Sequence, residues 1–153
     1  MKHATRLLST IALVWATFVS SAAADTVRLA GSPAVIAAVI DPHRAAVERA
    51  TGHTLQVMAS ETGPGLVALA NRKADIAMVS ERIDHAVAAA ARAGKQIPPS
   101  ALWLHELQLA GGMTRKLSLV TVGAPPAEVA RVIDAFKRAA AGQLGQETML
   151  VAR

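Results

Sequence analysis

The chain has 153 residues, 52% hydrophobic, 18% charged and 3% aromatic, with mean hydropathy +0.35, which excludes a disordered chain and fits one domain with a real core. It contains no cysteine, so disulfide scaffolds, thiolate metal sites and cysteine nucleophiles are excluded. The net charge of +5 falls to +3 without Lys2 and Arg6, and beyond residue 24 only Trp103 and Phe136 are aromatic. Scattered arginines without stacking platforms argue against a nucleic-acid partner.

Residues 1–24 read as a secretory signal peptide. Lys2, His3 and Arg6 make the positive start, and residues 7–19 are a 13-residue, mainly apolar stretch. Ser20, Ser21 and Ala22 to Ala24 then supply the small residues of a cleavage site before Asp25. A spanning helix needs roughly 20 apolar residues, more than this run holds. The expected product is an exported, soluble, periplasmic protein, with residues 25–153 as one domain.

Residues 26–30 alternate apolar Val27 and Leu29 with Thr26 and Arg28, the pattern of a strand. Ser32 then suits a helix N-cap and Pro33 the first helical position. Asp41-Pro42 reads as a restart of that helix, with Asp41 as a second cap, and Thr51-Gly52 closes it. A second strand is expected over residues 54–59, followed by the turn Ser60-Glu61-Thr62-Gly63-Pro64-Gly65 and a short helix. Residues 75–79 form a near-continuous apolar run, as in a strand covered on both faces. Asp84 is then expected to cap an alanine-rich helix ending at Gly94.

Strand, helix, strand, helix, strand, helix predicts a doubly wound parallel sheet. After the linker Ile97-Pro98-Pro99-Ser100, residues 102–110 and 116–122 read as two further strands about Gly111-Gly112. Pro125-Pro126 opens an amphipathic helix bearing Val129, Val132, Ile133 and Phe136, with Gly142 as its C-cap. A last short helix is expected over residues 146–152. The fold class is therefore α/β: one doubly wound lobe, a parallel sheet with helices on both faces, and an added hairpin strand.

Three strand ends carry polar turns: Gly31-Ser32-Pro33, the turn from Ser60 to Gly65, and Ser80-Glu81. In an open α/β sheet all three fall on the carboxyl edge, where ligands bind. The first two open helices, whose unpaired N–H groups favour an anion, and the hydroxyls add donors without charge. The candidate ligand-binding residues are Ser32, Ser60, Thr62, Gly63, Ser80 and Glu81. The plain alternative for each turn is a cap or a tight connection, and it stays open.

The segments LAGSPAVIAAVI, ATGHTLQV and SETGPGLVALANRKADIAMVSERI, with the tail LSLVTVG and VIDAFKRAAAG, resemble the phosphate-type periplasmic substrate-binding proteins of ABC transporters. The resemblance runs over nearly all of residues 26–150. It implies a binding role in which Ser32 stands at the first-turn hydroxyl, Thr62-Gly63 at a Ser-Gly turn and Ser80 after the third strand. It also implies a small, phosphate-like oxyanion as ligand and a membrane permease or sensor as partner. Three positions depart from the pattern: Ser60-Glu61 replaces glycines, Val79 replaces a hydroxyl residue, and no Asp follows it. Only about 20 residues separate Gly94 from Met113, too few for the family's second lobe. A single lobe leaves the anion wet on one side, so millimolar affinity or weaker is expected, unless a partner or a homodimer supplies the other wall.

Enzyme signatures are missing: no Gly-x-Ser-x-Gly elbow, no phosphate-binding Gly-Lys loop, no His-Glu-x-x-His. His43, His53, His85 and His105 have no metal-ligand spacing and read as solvated helix or strand residues; Met58, Met78 and Met113 read as core fillers. No catalytic residue, metal or cofactor is expected. The rival to solute binding is an interaction or sensor module that kept the scaffold without the ligand. An exposed apolar sheet edge or a patch near Trp103 would favour it.

Overall fold

The computed structural model describes residues 25–110 and 116–143. The expected signal peptide over residues 1–24, Gly111-Gly112 and the expected helix over 146–152 lie outside the described residues. Five strands, β1 (Thr26–Gly31), β2 (Thr54–Ala59), β3 (Ile76–Val79), β4 (Leu102–Leu107) and β5 (Leu117–Val122), form one sheet in the order β2-β1-β3-β5-β4. β1 pairs in parallel with β2 and β3, whereas β5 is antiparallel to both β3 and β4. The sheet is thus mixed, which corrects the expectation of a parallel one. The cause is the short hairpin: β4 takes the far edge, and the chain returns as β5 into the gap beside β3.

Helices cover both faces. After β1 the chain is helical through α1 (Pro33–Val35), a π-helical turn (Ile36–Ile40) and α2 (Asp41–Thr51). Pro42 has no N–H for the residue 38 carbonyl, and its ring crowds that carbonyl. Widening the preceding turn relieves the clash, with the Asp41 N–H bonding the Ile36 carbonyl five residues back. The helix therefore runs through Asp41-Pro42 and is not recapped there. α3 (Thr62–Ala70) and α4 (Ile83–Arg92) follow β2 and β3, and α5 (Ala127–Ala140) follows β5. Arg82 occupies the N-cap position of α4; Asp84 lies inside its first turn and pairs with Arg82 at 3.1 Å.

Two cores result. Phe136 and Ile133 of α5, with Val39 and Val47, pack on Val27, Leu29, Met78 and Leu119. On the other face Leu66, Ala86 and Ala90 from α3 and α4 pack on Ala77, Val79 and Val120. All four residues of β3 are buried, as the apolar run requires for a strand covered on both sides. Burying one such side chain contributes about 1.5–3 kcal/mol. Arg28 on β1 clamps the approach to β3: its backbone N–H and side chain donate to the Asp75 carboxylate at 2.8–3.1 Å. Burial alone would raise the Asp75 pKa, but the Arg28 hydrogen bonds and charge outweigh it and hold the carboxyl below its usual range.

Candidate functional site

β1 is followed by a crossover to β2 on one side, and the next crossover passes back over β1 to β3 on the other. The gap outside the carboxyl ends of β1 and β3 is therefore the topological switch point of the sheet, the usual ligand position in open α/β sheets. Ser32 and Ser80 meet there. The Ser32 hydroxyl donates to Ser80 Oγ at 2.8 Å and accepts the Ala34 N–H at 3.2 Å, capping α1. The Ser32 N–H donates to the Met78 carbonyl at 2.9 Å, which locks the end of β1 to β3. Ser32 is buried and Ser80 half-buried; Ser80 accepts from Ser32, and its own O–H has no acceptor among the described residues.

The second turn is drawn to the same place. The Ser60 N–H donates to the Gly31 carbonyl at 2.9 Å. A Cβ at Gly65 would lie 2.7 Å from the Gly31 Cα, so glycine lets the first turn of α3 sit directly on the end of β1. The first helical hydrogen bond of that turn is Gly65 N–H to the Glu61 carbonyl, 3.0 Å. The amides of Thr62 and Gly63 precede it and have no intrahelical acceptor. Thr62 is buried, and the Ser60 hydroxyl folds back onto the Glu61 carbonyl at 3.0 Å. Gly63 meets α4, where a Cβ would come within 2.9 Å of the Ala89 backbone; its lack of a side chain serves helix packing.

Glu81 is exposed and lines an open groove of about 700 Å³ with Arg82, Asp84, Glu106, Lys116 and Ser118. Arg82, Lys116 and Ser118 had no role in the sequence reading. Ser118 and Lys116 come to this edge because β5 inserts beside β3, pairing Ser118 with Val79, a placement no local pattern signals. His53 departs from the solvated reading of the histidines. It is buried, and among the described residues neither ring nitrogen has a hydrogen-bond partner.

A larger open groove, about 810 Å³, runs between β4 and α5, lined by Leu104, His105, Glu106, Asp134, Lys137 and Arg138 among others. Burial and the nearby Lys137 lower the His105 pKa and favour the neutral ring, against a smaller opposing effect of Asp134. At this side of the sheet Trp103, Leu104 and Val122 are 51%, 42% and 51% exposed.

Among the described residues no cluster of His, Cys, Asp or Glu could hold a metal ion, and no helix is long and apolar enough to cross a membrane. Comparison with models of known families, with curated proteins and with solved structures returns no match. The class defined by the geometry is an α/β domain with a mixed five-stranded sheet and a polar switch point.

Proposed function

We propose that the chain is an exported, single-lobe solute-binding protein of the phosphate-type periplasmic class, which takes a small tetrahedral oxyanion at the switch point. The observation that carries this reading is the Ser32–Ser80 hydroxyl pair, 2.8 Å apart, at the carboxyl ends of β1 and β3. The Ser80 hydroxyl, the Thr62 hydroxyl and the first amides of α3 are the donors, and the N-terminal ends of α1 and α3 add their dipoles. Each hydrogen bond to a charged ligand nets roughly 1.5–3 kcal/mol, less in an open site, so binding is millimolar. The exposed carboxylates of Glu61 and Glu81 repel a dianion and favour a singly charged ligand. The lobe delivers its ligand to a permease or sensor of the membrane.

Calorimetry with phosphate, sulfate and molybdate tests this. Saturable heat with one anion, lost in Ser80→Ala and Thr62→Ala, is the expected result; a folded protein that gives no heat with any of them overturns it. The exposed apolar residues Trp103, Leu104 and Val122 beside β4 favour a second reading, an interaction module built on the same scaffold.

A further inference from the structure

The two edges of the sheet are finished differently. At β2, the outward N–H of Leu55 donates to Glu48 Oε1 at 2.9 Å, and Arg44 donates to the Leu55 carbonyl. Side chains of α2 thus occupy both outward main-chain groups of Leu55, in the middle of the span on which another strand would build.

β4 has no such cover among the described residues. The Gly123 N–H donates to the Ala101 carbonyl at 2.9 Å, and Ala101 and Gly123 continue the β4–β5 register. In an antiparallel ladder bonded pairs recur at every second residue. Trp103, His105 and Leu107 therefore bond β5, while Leu102, Leu104 and Glu106 direct their main-chain groups outward. The Leu102 N–H is taken by the Pro99 carbonyl. Among the described residues the N–H and C=O of Leu104 and Glu106 have no partner, on a strand whose Trp103 and Leu104 side chains are about half exposed.

We propose that β4 is a homodimer interface, at which a second copy of this chain adds its own β4 antiparallel across a two-fold axis through His105. This deepens the interaction reading and is independent of anion binding. That axis pairs Leu104 of each copy with Glu106 of the other, the two residues whose main-chain groups are both open. It sets Trp103 opposite Leu107 and the two His105 rings against each other, the closely spaced pairs of the ladder. Burial on α5's side of the sheet favours the neutral form of each ring, which suits the contact.

Charge selects a second copy over a foreign chain. The groove beside the edge carries Glu106 and Asp134 against Lys137 and Arg138, so it has no single-sign field to attract an acidic or a basic partner. The axis runs the two α5 helices antiparallel along the joint. Asp134, three residues before Lys137, then meets that lysine of the other copy. A self-complementary patch is what a two-fold interface requires.

The test is light scattering across a dilution series of the purified protein, with Leu104→Lys and Leu104→Pro. The lysine puts a charge near the axis on an exposed site. The proline removes only an outward donor and leaves the β4–β5 ladder whole. A wild-type dimer is expected, with its dissociation constant raised at least about 30-fold by either substitution at unchanged circular dichroism. A wild-type protein that is monomeric throughout, or a dimer that survives both substitutions, overturns the proposal. Anion heats are measured on Leu104→Pro, which adds no charge to the groove that Leu104 shares with Glu81 and Ser118, so they fail or persist on their own account and the two readings stay separable.

Discussion

The β2 side of the sheet and the β4 side obey the same backbone chemistry and end differently. On the β2 side the outward groups of Leu55 are closed. Glu48 and Arg44 of α2 occupy Leu55, the Ser60 N–H is bound by Gly31, and Gly65 seats α3 on the end of β1. On the β4 side the outward main-chain groups of Leu104 and Glu106 have no partner among the described residues, and Trp103 is half exposed. An unprotected edge is a template for another strand, which proteins usually blunt. The difference teaches that a helix packed beside an edge strand can cover its main-chain groups, as α2 does at Leu55, whereas no described side chain does so at β4. Substitutions should separate the two accordingly.

The largest effect is expected at Gly31, where the closed side is tightest. Its φ is +137°, and a Cβ would lie 2.3 Å from the Met78 carbonyl oxygen. Gly31→Ala combines backbone strain with a backbone clash and should cost about 3 kcal/mol or more in urea unfolding. A cost below about 1 kcal/mol would mean that the β1–β3 junction yields easily.

Asp75→Ala comes next. It strips the acceptor from the Arg28 N–H and guanidinium and should cost about 1–3 kcal/mol, toward the low end because the pair is partly wet. The folded-state pKa of Asp75 is depressed, so its contribution is present above the unfolded value of about 3.9 and is lost as pH falls through the folded pKa. Wild type and variant should therefore converge in stability in acid. A constant gap across that range would show that the carboxylate charge contributes nothing.

Glu48→Ala is the smallest and the most direct on the contrast between edges. Water can replace part of the lost bond to Leu55, so the stability cost should be about 1 kcal/mol. It also unblocks the second edge, and light scattering should show species larger than a dimer. A variant that stays at the wild-type mass would mean that Glu48 is not what keeps β2 from pairing.

Local periodicity was enough to place most elements, though the strand expected over residues 102–110 ends at Leu107. Residues 54–59 match β2 end to end, alternation marks β1, the apolar run marks β3, and the spacing of Val129, Val132, Ile133 and Phe136 marks α5. Ser32 as the cap of the first helix was also readable, because a cap bonds two residues away. These are short-range properties, determined by side-chain period and by which backbone groups a neighbour can reach.

What only the tertiary structure decided depends on partners far apart in the chain. Ser32 and Ser80 are 48 residues apart and form a pair only once β1 and β3 are neighbours. The insertion of β5 between β3 and β4 makes the sheet mixed and brings Ser118 to the switch-point edge. An apolar strand pattern says that both faces are covered, but not which strand lies alongside. The same limit hid the burial of His53 and the bonds from Glu48 and Arg44 to Leu55. The openness of β4 was equally out of reach: whether an N–H points inward or outward follows from register, and register is settled by the sheet as a whole.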